Sequence, residues 1–324
     1  MLLYSIVIIL IILILWIRNK FWNRQPMRRI YNFPMYGILS TSPIMNKYCD
    51  TIHVHEATAN EVVEYVTSHS PGYETKDHIM GYLQNTYITV YKSPNIQGCM
   101  TSRRINLFDD GRKTAYFHDF IYANSDTIKR KLFQTHEYMR MLKTKCMISI
   151  FSHETRIPFL IPVTRYTIQW VKTDTFQKYV LPKKSWIRAT PTMLYPLHEA
   201  FKSPFRCQIS PDILNIATMI QSKLLSVYYY YTTELVAILF FKNTLQLEKN
   251  EAILDWIGTI SLKNNNIEKA VSSLFYTFRK IYPIVRIHQV SHTPLYYGYK
   301  TSELVYYIYN YGIERIPPKE CLII

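Results

Sequence analysis

The sequence predicts an α/β protein built as two halves behind an apolar N-terminal helix. Three observations carry that expectation. Residues 2–17 are almost unbroken Leu, Ile and Val. From Thr86 onward, stretches that alternate β-branched or aromatic residues with polar ones are interleaved with stretches of helical spacing. Pro191, Pro196 and Pro204 punctuate the middle of the chain, and a second strand-and-helix pattern follows them. The expected organisation is therefore an anchor over residues 1–17, a first half over 18–195 and a second half over 196–324, each half a mostly antiparallel sheet with helices.

The apolar run is a little shorter than the roughly 20 residues of a membrane-spanning helix. It has no basic residue before it and no small-residue cleavage pattern after it, which argues against a removed signal peptide. Arg18, Lys20, Arg24, Arg28 and Arg29 follow directly, so the positive-inside bias predicts a single-pass protein with the rest of the chain in the cytosol. A buried soluble helix is the alternative.

After the anchor, Pro26 and Pro34 favour an extended, wrapping segment. Glu61–Val66 and Asp77–Leu83 read as helices, and Thr86–Tyr91 as a strand. Gly98–Leu107 and Tyr116–Asn124 are two more strands, joined by a turn at Asp109-Asp110-Gly111. Cys146–Ser152 is a strand, and Pro158 and Pro162 make 155–166 irregular. Tyr166–Val171 and Lys184–Ala189 have strand character. In the second half, Ser210-Pro211-Asp212 reads as a helix start with Ser as the cap, leading into a helix over Ile213–Leu225. Thr233–Lys242, Val285–Val290 and the Tyr-rich Leu304–Tyr311 read as strands, and Ile267–Ile281 as an amphipathic helix.

The stretch Tyr116–Tyr138 is the centre of this pattern. A strand ends at Asn124-Ser125-Asp126, and Lys129, Arg130 and Lys131 fall where a helix begins, followed by Leu132, Phe133, His136 and Met139 at helical spacing. Unpaired helix amides and three cations directed at one place suit a phosphorylated ligand. A solvated cationic helix face is the alternative.

The formal net charge of +15 also points to an anionic partner: a polyphosphate, a membrane surface or nucleic acid. The basic residues are scattered in short clusters, and no zipper, zinc finger or RNP-type aromatic motif is present, so nucleic acid is not expected. Only 8 glycines, against abundant Tyr, Ile, Asn and Lys, is a bias expected of an A/T-rich genome such as that of a large DNA virus. Five widely spaced cysteines read as reduced thiols of a cytosolic domain.

The sequence holds no G-x-S-x-G elbow, P-loop or H-E-x-x-H. Cys49, His53 and His55 lack an evident further ligand, so no metal is expected. In a regular strand His118 and Asp119 point to opposite faces and form no acid–base pair.

Several of these stretches, in the same order, resemble the N-myristoyltransferase family, the glycylpeptide N-tetradecanoyltransferases. Phe21-Trp22-Asn23-Arg24-Gln25-Pro26-Met27 is similar to the family's F-W-x-T-Q-P-V, Asp119-Phe120-Ile121-Tyr122 to its N-F-L-C, and Lys129-Arg130-Lys131-Leu132 to its S-K-R-L. Phe151-Ser152, Ile157-Pro158 and Arg165-Tyr166 keep the spacing of Y-T-A-G-V-V-L-P and R-Y. Leu194-Tyr195 and Lys202-Ser203-Pro204 resemble L-Y-R-L-P-E and K-T-P, and Leu295-Tyr296-Tyr297-Gly298 resembles L-K-F-G. Leu304 to Tyr311 resembles L-Q-Y-Y-L-Y-N-W, and the chain then finishes on the apolar Leu322-Ile323-Ile324.

The resemblance implies two tandem GNAT-like (acyl-CoA N-acyltransferase) halves, the first binding myristoyl-CoA and the second shaping the groove for a glycine-initiated peptide. It implies that Lys129, Arg130, Lys131 and Leu132 with the helix amides hold CoA, and that Phe21 and Trp22 pack along the acyl-CoA. The backbone N–H groups of Phe120 and Ile121 would form the oxyanion hole, the terminal carboxylate of Ile324 would be the base, and Asp119, Ser152 and Gly298 would meet the peptide.

The chain departs from the pattern where Asp119 replaces Asn, Ser152 replaces Thr, His153-Glu154 replaces Ala-Gly, and Lys300 and Ser302 replace glycines of G-x-G-D-G. Those departures leave two other readings open: a catalytically inactive protein of the same fold that binds an acyl chain or partner peptide at a membrane, and an acyl-CoA transferase that acts on another amine.

Overall fold

The computed structural model describes all residues except Met1, 32–34, 51–53, 56–58, 70–85, 183–184, 203–204 and 264–266. The expected helix over 77–83, the Ser203-Pro204 part of the second-half motif and the His53 part of the metal candidate lie outside the described residues. The chain opens with α1 (Leu2–Arg18), a 3₁₀ turn (Trp22–Arg24), β1 (Gly37–Ile38), α2 (Lys47–Asp50), β2 (Val54–His55) and α3 (Ala59–His69). It continues with β3 (Thr86–Lys92), β4 (Ile96–Asp109), β5 (Gly111–Ala123), α4 (Asp126–Thr144), β6 (Ser149–His153), β7 (Thr164–Lys172), β8 (Trp186–Arg188) and α5 (Tyr195–Ala200). The rest comprises β9 (Cys207–Ser210), α6 (Ile213–Gln221), β10 (Leu225–Tyr231), β11 (Leu235–Glu248), β12 (Glu251–Ser261), α7 (Glu268–Phe278), β13 (Ile284–His288), β14 (Lys300–Tyr309), β15 (Tyr311–Gly312) and β16 (Cys321–Ile323).

The mixed α/β expectation holds, but the transmembrane helix is not supported. Helix α1 has 17 residues. At about 1.5 Å rise per residue that is roughly 25 Å, short of a hydrocarbon core of about 30 Å. Among the described residues no helix is long and apolar enough to cross a membrane. Its apolar side chains are nonetheless exposed, Ile6 to Ile14 among them. The base of α1 is fastened to the body: Asn23 Nδ2 donates to the Trp16 carbonyl at 3.0 Å, and Arg29 donates to the carbonyls of Asn23 and Trp22.

One sheet runs through the body in the order β16-β9-β4-β5-β6-β14-β7-β13-β12-β11-β10-β8, with β3 also on β4. Strands β3 and β9 share one edge of β4 at different ends, β3 over Ile96–Arg103 and β9 over Asn106–Phe108. Strand β14 lies between β6 and β7, antiparallel to β6 through 305–309 and to β7 through 300–306, so a strand from beyond residue 195 is inserted among strands from before it. The C-terminal strand β16 lies parallel to β9, with Ile323 opposite Ile209. Late segments of the chain therefore complete the sheet that the early ones begin.

Local corrections have local causes. The helix after Pro211 is capped by Asp212, whose carboxylate accepts from the Asn215 N–H at 2.8 Å, while Ser210 closes β9. That helix stops at Gln221 because Lys223 turns left-handed, φ 60°, and β10 begins at Leu225. Strands β10 and β12 went unread. Strand β12, E-A-I-L-D-W-I-G-T-I-S, lacks clean alternation because much of it is buried on both faces, whereas β10, L-S-V-Y-Y-Y-Y, alternates in burial behind a run of four tyrosines. All five cysteines are free thiols.

Candidate active site

The site begins with a fault in a strand. Antiparallel pairing of β4 and β5 sets Thr101 opposite Phe120 and Ser102 opposite His118, so Asp119 is an extra residue on β5. A bulge of this kind re-aims side chains and bends its strand. On the other flank, β5 pairs with β6 only at Tyr116–Ser149 and Phe117–Ile150. Beyond those pairs the registered ladder ends, and a cavity of about 310 Å³ opens between residues 118–121 and 151–153.

This cavity has an apolar wall and a charged mouth. Phe21, Trp22, Phe120, Phe133 and Phe151 line it, with Trp22 stacked on Phe151 at 5.4 Å. The mouth is the first turn of α4, with Asp126, Lys129 and Arg130. Ser125 caps that helix by accepting from the Ile128 N–H at 3.3 Å. The remaining N-terminal amides and the two cations give a mouth of positive potential.

A second cavity of about 660 Å³ lies beside the bulge, lined by residues of β4 to β7, β11 to β14 and β16. His118, Asp119 and Ser152 line both spaces, so the two adjoin at these three residues, and this junction is called the passage below. The larger cavity is lined by Ile323 and Ile324 on one side and by Tyr166, Trp170, Lys242, Asp255, Arg286, His288 and Tyr306 on others. Ile324 is only 8% exposed, and its N–H donates to the Ile209 carbonyl at 2.9 Å. The end of the chain is thus packed beside the second cavity.

Charges in the larger cavity are paired across strands. Arg103 Nε donates to Asp119 Oδ1 at 2.9 Å, and Arg286 donates to Asp255 Oδ2 at 2.7 Å. His288 stands 3.6 Å from the same carboxylate and 3.1 Å from the Tyr166 hydroxyl. Burial opposes ionisation of Asp255, but Arg286 and His288 prevail and hold it below the usual carboxylate range. Asp119 is the reverse. Burial raises its pKa despite Arg103 and Lys242, and its Oδ2 has no hydrogen-bond partner among the described residues. Burial and the neighbouring Arg103 lower the pKa of Lys242, against the pull of Asp119 and Asp255.

Behind the passage lies a sealed polar cluster. His118 Nε2 is 2.7 Å from Glu137 Oε1, and Arg140 and Ser149 each donate to Glu137 Oε2 at 2.8 Å. His136 bonds Ser102 at 2.7 Å and Thr89 at 3.0 Å. Donor atoms of His118, His136 and Glu137 lie within 4.8 Å of one another, as a metal site would require. These bonds already occupy both His136 nitrogens and both Glu137 oxygens, so the cluster reads as a hydrogen-bonded network.

Most of the expected residues meet here. Phe21, Trp22, Phe120, Ile121, Lys129 and Arg130 line the smaller cavity, Ile324 the larger, and Asp119 and Ser152 both. Lys131 instead sets its ammonium over the Tyr91 ring at 5.9 Å, and Leu132 is fully buried in the core. Gly298 lines neither cavity; its N–H donates to Gln169 Oε1 at 3.1 Å, and a Cβ there would sit 2.1 Å from the Trp170 carbonyl oxygen. His118 and Asp119 both line the passage, contrary to strict alternation, because the bulge breaks the period of two. Arg103, Lys242, Asp255 and Arg286 were missed. A usable signal was present for Asp255 and Arg286, each a charge between two apolar neighbours inside a strand, which is costly unless paired; Arg103 and Lys242 stand next to polar residues.

No family model matches the sequence, and no curated protein matches it. Solved structures do match in fold. The chain is similar to Saccharomyces cerevisiae N-myristoyltransferase with bound myristoyl-CoA at TM-score 0.70 and 10% identity, covering 93% of this chain and 90% of that one. It is also similar to a probable N-acyltransferase from Enterococcus faecalis, at TM-score 0.51 and 10% identity over 79% of this chain and 71% of that one. A GCN5-related N-acetyltransferase from Kribbella flavida matches at TM-score 0.52 and 9% identity, over 82% and 72%.

Proposed function

We propose that this chain is an N-acyltransferase that moves a long acyl group, myristoyl in the first instance, from acyl-CoA to the N-terminal glycine amine of a peptide. The observation that carries the reading is the passage at His118, Asp119 and Ser152. There a cavity with an apolar wall and a cationic helix mouth adjoins a cavity beside Ile324. The likeness in fold to an N-myristoyltransferase supports it.

In this reading Lys129, Arg130 and the amides of α4 take the CoA phosphates. Phe21 and Trp22 pack along the acyl-CoA, and the N–H groups of Phe120 and Ile121, beside the bulge, receive the thioester oxygen as it gains charge. The peptide amine enters from the larger cavity as an ammonium, near Asp119 and Ser152. One proton passes to the Ile324 carboxylate. The freed amine attacks the thioester carbon, the C–N bond forms as the C–S bond breaks, and the second proton must reach the departing sulfur.

Membrane attachment through α1 belongs to the same proposal. An exposed helix, apolar all round and followed by basic residues, favours contact with lipid. The test of the enzymatic reading is release of CoA thiol by the full chain given myristoyl-CoA and a glycine-initiated peptide. Peptide-dependent release is expected; a rate equal to the no-enzyme blank contradicts it. Binding of myristoyl-CoA without turnover on any amine would instead favour the inactive reading, for which the sealed, half-paired Asp119 is the motivating feature.

A further inference from the structure

We propose that His118 carries the second proton, from the attacking nitrogen to the sulfur, with Glu137 as its positioning residue. This rests on the acyl-transfer reading above and adds a group that reading did not use. Three features point to it. The first is place: His118 lines both cavities, so it stands where they adjoin, between the sides from which the proposed amine and thioester would come.

The second is orientation. The imidazole is stacked on Phe151 at 5.9 Å, meets Phe133 edge-on at 5.4 Å, and is tied through Nε2 to Glu137 at 2.7 Å. Glu137 cannot drift, because Arg140 and Ser149 hold its other oxygen and all four of these side chains are buried. A ring fixed this way needs no reorganisation when the proton moves.

The third is the tautomer. A carboxylate only accepts, so the neutral ring bonded to it carries its proton on Nε2. Burial would raise the Glu137 pKa, but Arg140 and His118 hold it well below the usual range, which keeps it an acceptor. Nδ1 then holds the lone pair, and it makes no hydrogen bond with any described residue. Nδ1 takes the nitrogen's proton as the C–N bond forms, and gives it to the sulfur as the C–S bond breaks, so the ring ends as it began. His136, 5.7 Å away, lacks this freedom because Ser102 and Thr89 occupy both its nitrogens.

The deciding experiment compares single-turnover acyl transfer by the full wild-type chain and His118→Gln. The glutamine amide keeps a donor for Glu137 and lacks a basic nitrogen. A positioned acid–base group is worth about 10²-fold or more. The expected result is a loss of that size with myristoyl-CoA affinity unchanged within twofold, and partial rescue of His118→Ala by free imidazole. A His118→Gln rate within threefold of wild type overturns the inference and leaves the acyl-transfer reading standing. A wild-type chain with no turnover sinks that reading, and this inference with it. A nitrogen NMR spectrum showing the His118 proton on Nδ1 overturns the inference whatever the rates, and needs no foldable variant.

Discussion

Two sealed carboxylates stand on either side of the passage wall, and burial acts on them to opposite effect. Glu137 receives His118, Arg140 and Ser149, and is held below the usual carboxylate range against the cost of burial. Asp119 has Arg103 on one oxygen and, among the described residues, no hydrogen-bond partner on the other, and there burial wins and raises the pKa. The number of partners decides the sign, since each hydrogen bond or cation favours the charged form. The comparison separates scaffold from site. The cluster behind the wall is closed, while the one on the wall keeps an oxygen without a partner beside the place where an ammonium would arrive.

The largest expected effect comes from breaking the closed cluster. Glu137→Gln leaves Arg140 sealed without its counter-charge, so a cost of about 3–5 kcal/mol is expected in urea denaturation. Next is the cavity mouth. Lys129→Glu with Arg130→Glu is expected to weaken acyl-CoA binding at least about tenfold, more at low salt, with stability within about 0.5 kcal/mol of wild type. Calorimetry at two ionic strengths measures this, and an unchanged affinity would place the CoA phosphates elsewhere.

Asp119→Asn is expected to cost only about 1 kcal/mol, since it removes a charge that burial already disfavours. If it costs as much as Glu137→Gln, the contrast is wrong. Acid sharpens it further. Glu137, with its pKa depressed by folding, contributes stability in full above the unfolded value of about 4.3, and that is lost as pH falls below it. Asp119, with its pKa raised, imposes a cost that is present above its folded pKa and relieved as pH falls through it. As pH falls, the gap to wild type should therefore narrow for Glu137→Gln and widen for Asp119→Asn. The smallest effect belongs to Lys131→Gln, whose ammonium rests on Tyr91. It should lose about 0.5–1 kcal/mol of stability at most and leave acyl-CoA affinity within twofold.

Much of the fold was legible in local pattern. Strands β3 to β5 and the helix Asp126–Thr144 follow from alternation, a Gly111 turn at φ 85° and a serine cap. The mouth residues followed from a break before a basic helix start. Sequence spacing could not show the bulge at Asp119, because a bulge depends on the partner strand's register. Nor could it show that Lys131 turns aside, or that His118 and Glu137 meet, since that contact joins a strand to a helix 19 positions later. The charges of β11, β12 and β13 belong to strands that come together only in the finished sheet.

The most direct test of the account is a structure of the full chain with a non-hydrolysable myristoyl-CoA analogue. The account predicts phosphates at Lys129 and Arg130, the acyl chain against Phe21 and Trp22, and the carbonyl oxygen at the Phe120 and Ile121 amides, with sulfur facing His118. An analogue bound away from this passage, or a passage left closed at saturating analogue, would contradict it.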